Sequence, residues 1–450
     1  MPDPRTLARL AKPLIPFPYV RGPAFARVYR SLMATQYWSQ QQLEQLQLSK
    51  LQKLVRAAYA HVPKYRHDLD AAGIGPGHLT SLKALALLPT IGKETLRDCF
   101  DELAADNASH YKPSISHTSG STGIPQKFLL DRDNQTFEQA TVWRHYDWAG
   151  YRYGQRMAIL RGLTIPEGQC WHQPNDTTLV LSSFRLKRET VDQYAEALRH
   201  FEPTLIAAYP SSIYFLAQLL QRRGIDDIRP GSIMTASETL LPHQRICVER
   251  TFRCKVFDWY GSGEHVAIIS QCPAGKYHVH SEYGYVEYIE RPEFGRPDES
   301  AYEIVCTGLN NFSMPLLRYR IGDIVRIRKD ESCDCGRGLP VVSAIEGRLD
   351  DVIVTADGRV IPASGMTLAF EFSENIVQAQ LYQENSERLT IRIVRTERYS
   401  EQDHQFMLQQ VRERLGNTVQ IQVQFVQEIE RLPSGKQPFA ISTVKPDQVL

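Results

Sequence analysis

An excess of charge of either sign is missing from this chain: 52 Lys and Arg stand against 51 Asp and Glu, a formal net charge of +1 over 450 residues. That balance provides no overall field to draw in nucleic acid or an anionic membrane, so neither is expected as a partner. Long hydrophobic runs are missing too. Stretches such as Leu85–Leu88 and Val266–Ile269 fall far short of the ~20 apolar residues that cross a bilayer. The opening Met1–Pro18 has only a short apolar stretch, broken by Pro16, with no small-residue cleavage pattern, which argues against a signal peptide. Cysteine is sparse at eight, too few for a disulfide framework, which suits a reducing compartment and a cytoplasmic location. The phosphate-loop pattern GxxxxGK(S/T) is absent, as are kinase-type loops, which disfavours a kinase.

A hydrophobic fraction of 42% and this length are enough for several domains or subdomains. Residues 1–105 read as a mainly helical lead-in. Leu43, Leu48, Leu51, Leu54, Val55 and Ala58 form one stripe at helical spacing over Leu43–His61, and Pro63 is expected to stop that helix. Short buried strands are expected at Met157–Leu160, Thr178–Leu181, Leu205–Ala208 and Ser232–Ala236. Helices at Glu189–His200 and Ile213–Arg223 separate the last three, the alternation of an α/β fold with a parallel sheet. Residues 258–345 read as a β-rich subdomain, a meander or small barrel with strands at Tyr277–Ile289, Glu303–Thr307 and Ile324–Arg328. The tail reads as a compact α+β module: a strand at Val352–Val354, a helix near Gly365–Phe372, a strand at Arg388–Val394, a helix at Asp403–Leu415 and a strand at Gln420–Val426.

Five segments carry chemistry. Thr118-Ser119-Gly120-Ser121-Thr122-Gly123 combines hydroxyls with glycines, whose backbone N–H groups can approach an anion. Asp258-Trp259-Tyr260-Gly261-Ser262-Gly263-Glu264 sets an aromatic ring at a glycine turn, able to stack a flat base, with a carboxylate four residues on for Mg²⁺. In Pro315–Asp323, Asp323 follows Gly322 and can accept two hydrogen bonds from vicinal hydroxyls. Gly347-Arg348-Leu349-Asp350-Asp351 is a charged turn where the texture changes toward the tail. Ser434-Gly435-Lys436 sets a single lysine behind a glycine.

In this order and at these separations the segments resemble the adenylate-forming enzymes, the superfamily of acyl-CoA synthetases, peptide-synthetase adenylation domains and luciferases. Within it they resemble the phenylacetate–CoA ligase branch. Cys333-Asp334-Cys335-Gly336-Arg337 is similar to a subgroup that includes capsule-biosynthesis proteins and coenzyme F390 synthetase. The resemblance implies an N-terminal adenylation domain over residues 1–349 and a small mobile lid domain over 350–450. It implies that Thr118, Ser119, Gly120, Ser121, Thr122 and Gly123 hold phosphate, that Ser237 and Glu238 lie along adenine, and that Tyr260 stacks on it at the Gly261 turn. Asp258 would meet the adenine amino group, Glu264 Mg²⁺, Asp323 the ribose, and Arg348 the ribose or phosphate. Asp350 would be the hinge and Lys436 the catalytic lysine. In many relatives a lysine directly follows the loop proline; here Gln126 holds that slot and Lys127 comes one place later.

The implied activity is ATP-dependent conversion of a small-molecule carboxylic acid to an acyl adenylate with release of pyrophosphate, then transfer to CoA or to an amine or hydroxyl acceptor. The alternatives are an adenylyltransferase that leaves AMP on its product and a non-catalytic nucleotide-binding protein. Neither the acid nor the oligomeric state is legible. Separately, Cys272, His278, Cys333 and Cys335 offer the four S and N ligands of a closed structural Zn²⁺ site, with His280 as a substitute for His278. His117 either orients the phosphate loop or caps the strand before it. Tyr209-Pro210-Ser211, Trp143–Trp148 and Arg161 are candidates for the acyl side.

Overall fold

The Gln40–His61 helix begins where its sequence provides a cap: Ser39 accepts from Gln42 N, and the Gln42 side chain accepts from Ser39 N in return. Its buried face is Leu43, Gln47, Leu51, Leu54, Val55 and Ala58. Gln47 enters that face because its amide donates to Gly284 O at 2.9 Å, while Leu48 is left partly exposed. Pro63 ends this helix and also opens the next, Pro63–Ala71, in whose first turn its missing N–H costs nothing. The computed structural model describes residues 17–444 apart from 76, 78, 118–126, 164, 167, 168, 349–351, 357–359, 367, 372–374 and 433–436.

The centre is a nine-stranded sheet. Five parallel strands lie in the order Thr178–Ser182, Met157–Arg161, Leu205–Ala208, Ser232–Ala236 and Lys255–Gly261. Helices Val191–Phe201, Pro210–Arg222 and Pro242–Phe252 make the connections that parallel pairing requires. Leu160, Leu181, Tyr194, Ile206, Leu216 and Phe252 fill the layer between them. Beyond Lys255–Gly261 the sheet continues antiparallel through Ile268–Gln271, Tyr277–Val279 and Val341–Val342.

The expected strand Tyr277–Ile289 is two strands. Tyr277–Val279 belongs to the large sheet, and Gly284–Glu290 opens a four-stranded antiparallel meander with Glu299–Gly308, Tyr319–Arg328 and Ala344–Arg348. The crossing is a turn in which Tyr283 N donates to His280 O at 2.9 Å. It needs Gly284, because a Cβ there would lie 2.1 Å from Val266 O.

In the tail, Glu401–Leu415 packs on a sheet ordered Gln420–Phe425, Arg388–Arg395, Ile376–Asn385 and Ala440–Ser442. The helix expected at Gly365–Phe372 is a 3₁₀ turn, Ala363–Met366, followed by the short helix Leu368–Glu371. Sequence periodicity gave no sign of the Ile376–Asn385 strand, whose inner positions include glutamines. Gln383 is fully buried because its amide bonds Val354 N and O at 3.0 and 2.6 Å.

Candidate active site

The C-terminal ends of the parallel strands carry the expected nucleotide residues, where ligands of open α/β sheets collect. Ser232–Ala236 ends at Thr235-Ala236, and Ser237 turns the chain at φ 74° to bring Glu238 over the edge. Lys255–Gly261 runs beside it, Thr235 opposite Asp258 and Ala236 opposite Trp259, so Tyr260 and Gly261 emerge at the same edge. The turn after Gly261 closes through His265 N to Ser262 O at 3.1 Å and buries Glu264.

The antiparallel meander brings up the other wall. Asp323, on Tyr319–Arg328, accepts from the Tyr260 hydroxyl at 2.6 Å, and Tyr319 on the same strand donates to Glu264 Oε1 at 2.9 Å. Asp323 also lies opposite Arg348 in the strand pairing. Two residues expected at the ribose, one at the base and one at Mg²⁺ are thus joined by one strand. Burial, with Asp323, Cys306 and Glu264 nearby, raises the Tyr260 hydroxyl well above its usual pKa, so it remains a donor. Tyr319 lies inside the Pro315–Asp323 segment but carried no signal of its own. Its role appears only once Glu264 faces it.

Asp258 is spoken for within the protein. Thr235 Oγ1 donates to one of its oxygens at 2.5 Å and the Tyr277 hydroxyl to the other at 2.9 Å. Glu238 accepts from Ser211 N and Oγ at 2.9 and 3.1 Å and from Gln437 N at 3.0 Å. Arg431 reaches the same spot, 3.2 Å from Ser212 Oγ. The tail module therefore touches the nucleotide edge one residue beyond Lys436. Thr118 to Gly123, Gln126, Asp350 and Lys436 themselves lie outside the described residues. The Lys127 ammonium sits 4.3 Å over the Phe100 ring, and Arg161 stacks on Tyr209 at 5.6 Å.

The four expected metal ligands form a second cluster. Their donor atoms all lie within 4.8 Å of one another. Cys272 Sγ is 3.6 Å from Cys333 Sγ, and Cys335 Sγ is 3.3 Å from His278 Nε2. His278 Nδ1 is 2.9 Å from Leu339 O, which fixes Nε2 as the free lone pair. His280 is not a substitute: its two nitrogens bond Arg144 Nη2 and Ser270 Oγ at 2.7 and 2.6 Å. Gly336 takes φ 78° at the tip of the Cys333–Cys335 turn. The following residues clamp the lead-in: Gly338 N donates to Gln36 O, and Arg337 Nε and Trp148 Nε1 both donate to Gln36 Oε1. A Cβ on Gly338 would meet Trp38 O at 1.8 Å.

A family model described as the CapK C-terminal domain matches residues 353–443. Protein CapK of Staphylococcus aureus is 23% identical over 370 residues, 80% of this chain and 80% of that protein. A phenylacetate–coenzyme A ligase of Thermus thermophilus is 24% identical over 422 residues, 88% of this chain and 94% of that one. Among solved structures, 2-hydroxyisobutyryl-CoA ligase in its postadenylation state is similar with a TM-score of 0.70 at 18% identity, covering 91% of each chain. The same ligase in its thioesterification state gives 0.55 over the same share. None of the described helices is long and apolar enough to cross a membrane. The ordered motifs and the two-walled site accord with these likenesses, in which the chain is similar to adenylate-forming ligases of the phenylacetate–coenzyme A ligase branch.

Proposed function

We propose that this protein activates a carboxylic acid with ATP and passes the acyl group to CoA. In the first step a carboxylate oxygen attacks the α-phosphorus, the bond to the bridging oxygen breaks, and pyrophosphate leaves with that bond's electron pair. In the second a thiol attacks the acyl carbon, loses its proton and expels AMP. The chemistry needs positive charge and N–H donors around the phosphates. Thr118 to Gly123 would cradle them, Tyr260 and the Ser237-Glu238 segment would hold the base, and Asp323 with Arg348 the ribose. A buried oxygen donor such as Glu264, oriented by Tyr319, suits a hard divalent cation. Mg²⁺ held there would neutralise phosphate charge. Asp258, occupied by Thr235 and Tyr277, would act on the base through the stiffness it gives the edge.

The observation that carries the proposal is the bond from Gln437 N to Glu238 Oε1 at 3.0 Å. Gln437 follows Lys436 in the chain, and in this reading that lysine would act at the same edge. The better match to the postadenylation state than to the thioesterification state supports a tail module swung toward adenylation. Asp350 would be the pivot between residues 1–349 and 350–450. The test is ATP–pyrophosphate exchange against aryl, fatty, amino and sugar acids. Exchange dependent on one acid class is expected. ATP turnover that leaves AMP on a hydroxyl or phenol would instead make the protein an adenylyltransferase, and nucleotide binding without turnover would make it non-catalytic.

The Cys272, His278, Cys333 and Cys335 cluster would hold a structural Zn²⁺. A tetrahedral ion with Zn–S near 2.3 Å and Zn–N near 2.0 Å spaces its ligand atoms roughly 3.5–3.8 Å apart, close to the 3.6 Å between Cys272 and Cys333 and the 3.3 Å between Cys335 and His278. Four protein ligands leave no open position, so the ion would staple rather than catalyse. Reduced thiols of this kind fit a cytoplasmic setting.

A further inference from the structure

The nucleotide residues take up only part of the strand-end edge. Ser232–Ala236 and Lys255–Gly261 lead to them, while the next two strands of the sheet, Leu205–Ala208 and Met157–Arg161, lead to Tyr209 and Arg161. The Arg161 guanidinium lies 5.6 Å over the Tyr209 ring, and its buried Nε has no hydrogen-bond partner among the described residues. Tyr209 stands two residues before Ser211, whose N and Oγ donate to Glu238. An acid that meets a nucleotide on this edge has these two strand ends left for its acyl part.

The edge leads outward to a cavity. Burial raises the pKa of the Tyr146 hydroxyl, on the Arg132–Trp148 helix, and the Arg161 and Arg21 guanidiniums pull it back down, so both cations stand near one ring. Trp143, one turn earlier, lies 5.4 Å from Tyr146, and the Arg21 guanidinium sits 5.5 Å over the Trp143 ring. Arg21 then lines a cavity of about 300 Å³ with Val20, Phe25, Thr136, Gln139 and Tyr153. That volume is at the lower end of the range for small-molecule sites.

Arg21 is held in place by neutral groups. Its Nη2 donates to Gln139 Oε1 at 2.6 Å, and its guanidinium lies 5.2 Å over the Phe25 ring as well as over Trp143. Among the described residues no carboxylate pairs with it. Because the Gln139 oxygen is taken by Arg21, the amide's free face offers only N–H groups, as does the rest of the guanidinium fork. A donor-only set with a fixed positive charge suits an acceptor-only anion, and the planar fork matches a carboxylate with two parallel bonds. An ammonium would be repelled, and a hydrocarbon would strip water from the cation and give nothing back. We infer that the acid activated here carries a second carboxylate, and that Arg21 and Gln139 hold it in this cavity.

This rests on the adenylation reading and is tested so that the two fail separately. Pyrophosphate exchange is measured with the full chain on dicarboxylic acids of increasing length, each beside the monocarboxylic acid of equal length. The best dicarboxylic acid is expected to exceed its partner in kcat/KM by about 10–100-fold, the worth of hydrogen bonds between charged groups. Arg21→Gln is expected to collapse that ratio toward one. Arg21→Lys, which keeps the charge and loses the fork, is expected to retain part of it. Gln139→Leu is the fallback should the Arg21 variants fail to fold, and is expected to cut the ratio. A ratio near one in the unaltered protein, preference for the monocarboxylic partner, or variants that slow both acids alike would overturn the proposal alone. No exchange with any acid would overturn it together with the adenylation reading.

Discussion

The Lys255–Gly261 strand and its antiparallel neighbour Ile268–Gln271 carry different chemistry at their two ends. At one end Gly261 pairs with Ile268, and Tyr260, Glu264, Tyr319 and Asp323 gather through hydrogen bonds between side chains distant in sequence. Past the other end stand Cys272 and His278, closed on Cys333 and Cys335. Bonds at the first end would be exchangeable in the proposed reaction: Asp323 would trade the Tyr260 hydroxyl for a ribose hydroxyl without leaving a buried charge bare. Those at the second would gain nothing from exchange once the proposed Zn²⁺ closed three thiolates and an imidazole into a four-ligand shell. A proposed site that opens and a proposed clasp that stays shut thus share one hairpin.

The sharpest way to break this contrast is Glu264→Gln. Loss of the cation ligand is expected to cut adenylation by about 10²–10³-fold while leaving zinc content at one per chain, read by metal analysis of the same preparation. Cys335→Ser should do the reverse. It is expected to release the zinc and lower the melting temperature by several degrees, because the Gly338 and Arg337 contacts to Gln36 hang from that turn. Tyr319→Phe removes one hydrogen bond to a carboxylate and should cost about 1.5 kcal/mol, roughly tenfold in kcat/KM for ATP, with the melting temperature little changed.

The smallest effect concerns the packing between the two ends. His145 bonds Gln271 O at 3.1 Å, and burial pushes its pKa down to about 3. Its folded value lies below the unfolded one of about 6.5, so the unfolded chain takes up the proton first as pH falls. The contribution is whole above pH 6.5 and drains at up to about 1.4 kcal/mol per pH unit below it. His145→Gln should flatten acid unfolding curves between pH 6.5 and 3. Unchanged curves would show that the ring is already charged in the fold.

Four of the five parallel strands were legible as short apolar runs and stand within a residue of their observed bounds. The fifth, Lys255–Gly261, was not expected among them, because its polar end at Asp258 reads as part of the β-rich subdomain. The metal set was legible because Cys and His are rare enough for spacing to mean something. Tyr277–Ile289 was misread because its alternation continues through a turn that only the approach of Val266 to Gly284 reveals. The Ile376–Asn385 strand was hidden by glutamines whose partners lie far away in sequence. Nothing local told Arg144 and Glu282 from solvated charges, although the pair meets fully buried at 2.7 Å. Periodicity speaks of faces; it is silent on which distant polar groups meet.

Lys436, next in the chain to the Gln437 that bonds Glu238, is proposed to act in adenylation and to swing away for thioester formation. The direct measurement compares Lys436→Ala with the unaltered protein in both half-reactions: pyrophosphate exchange with the preferred acid, and CoA thioester formation from the presynthesised acyl adenylate. The account predicts exchange reduced by about 10²-fold or more with thioester formation retained. Exchange at the unaltered rate would contradict it, as would equal loss of both.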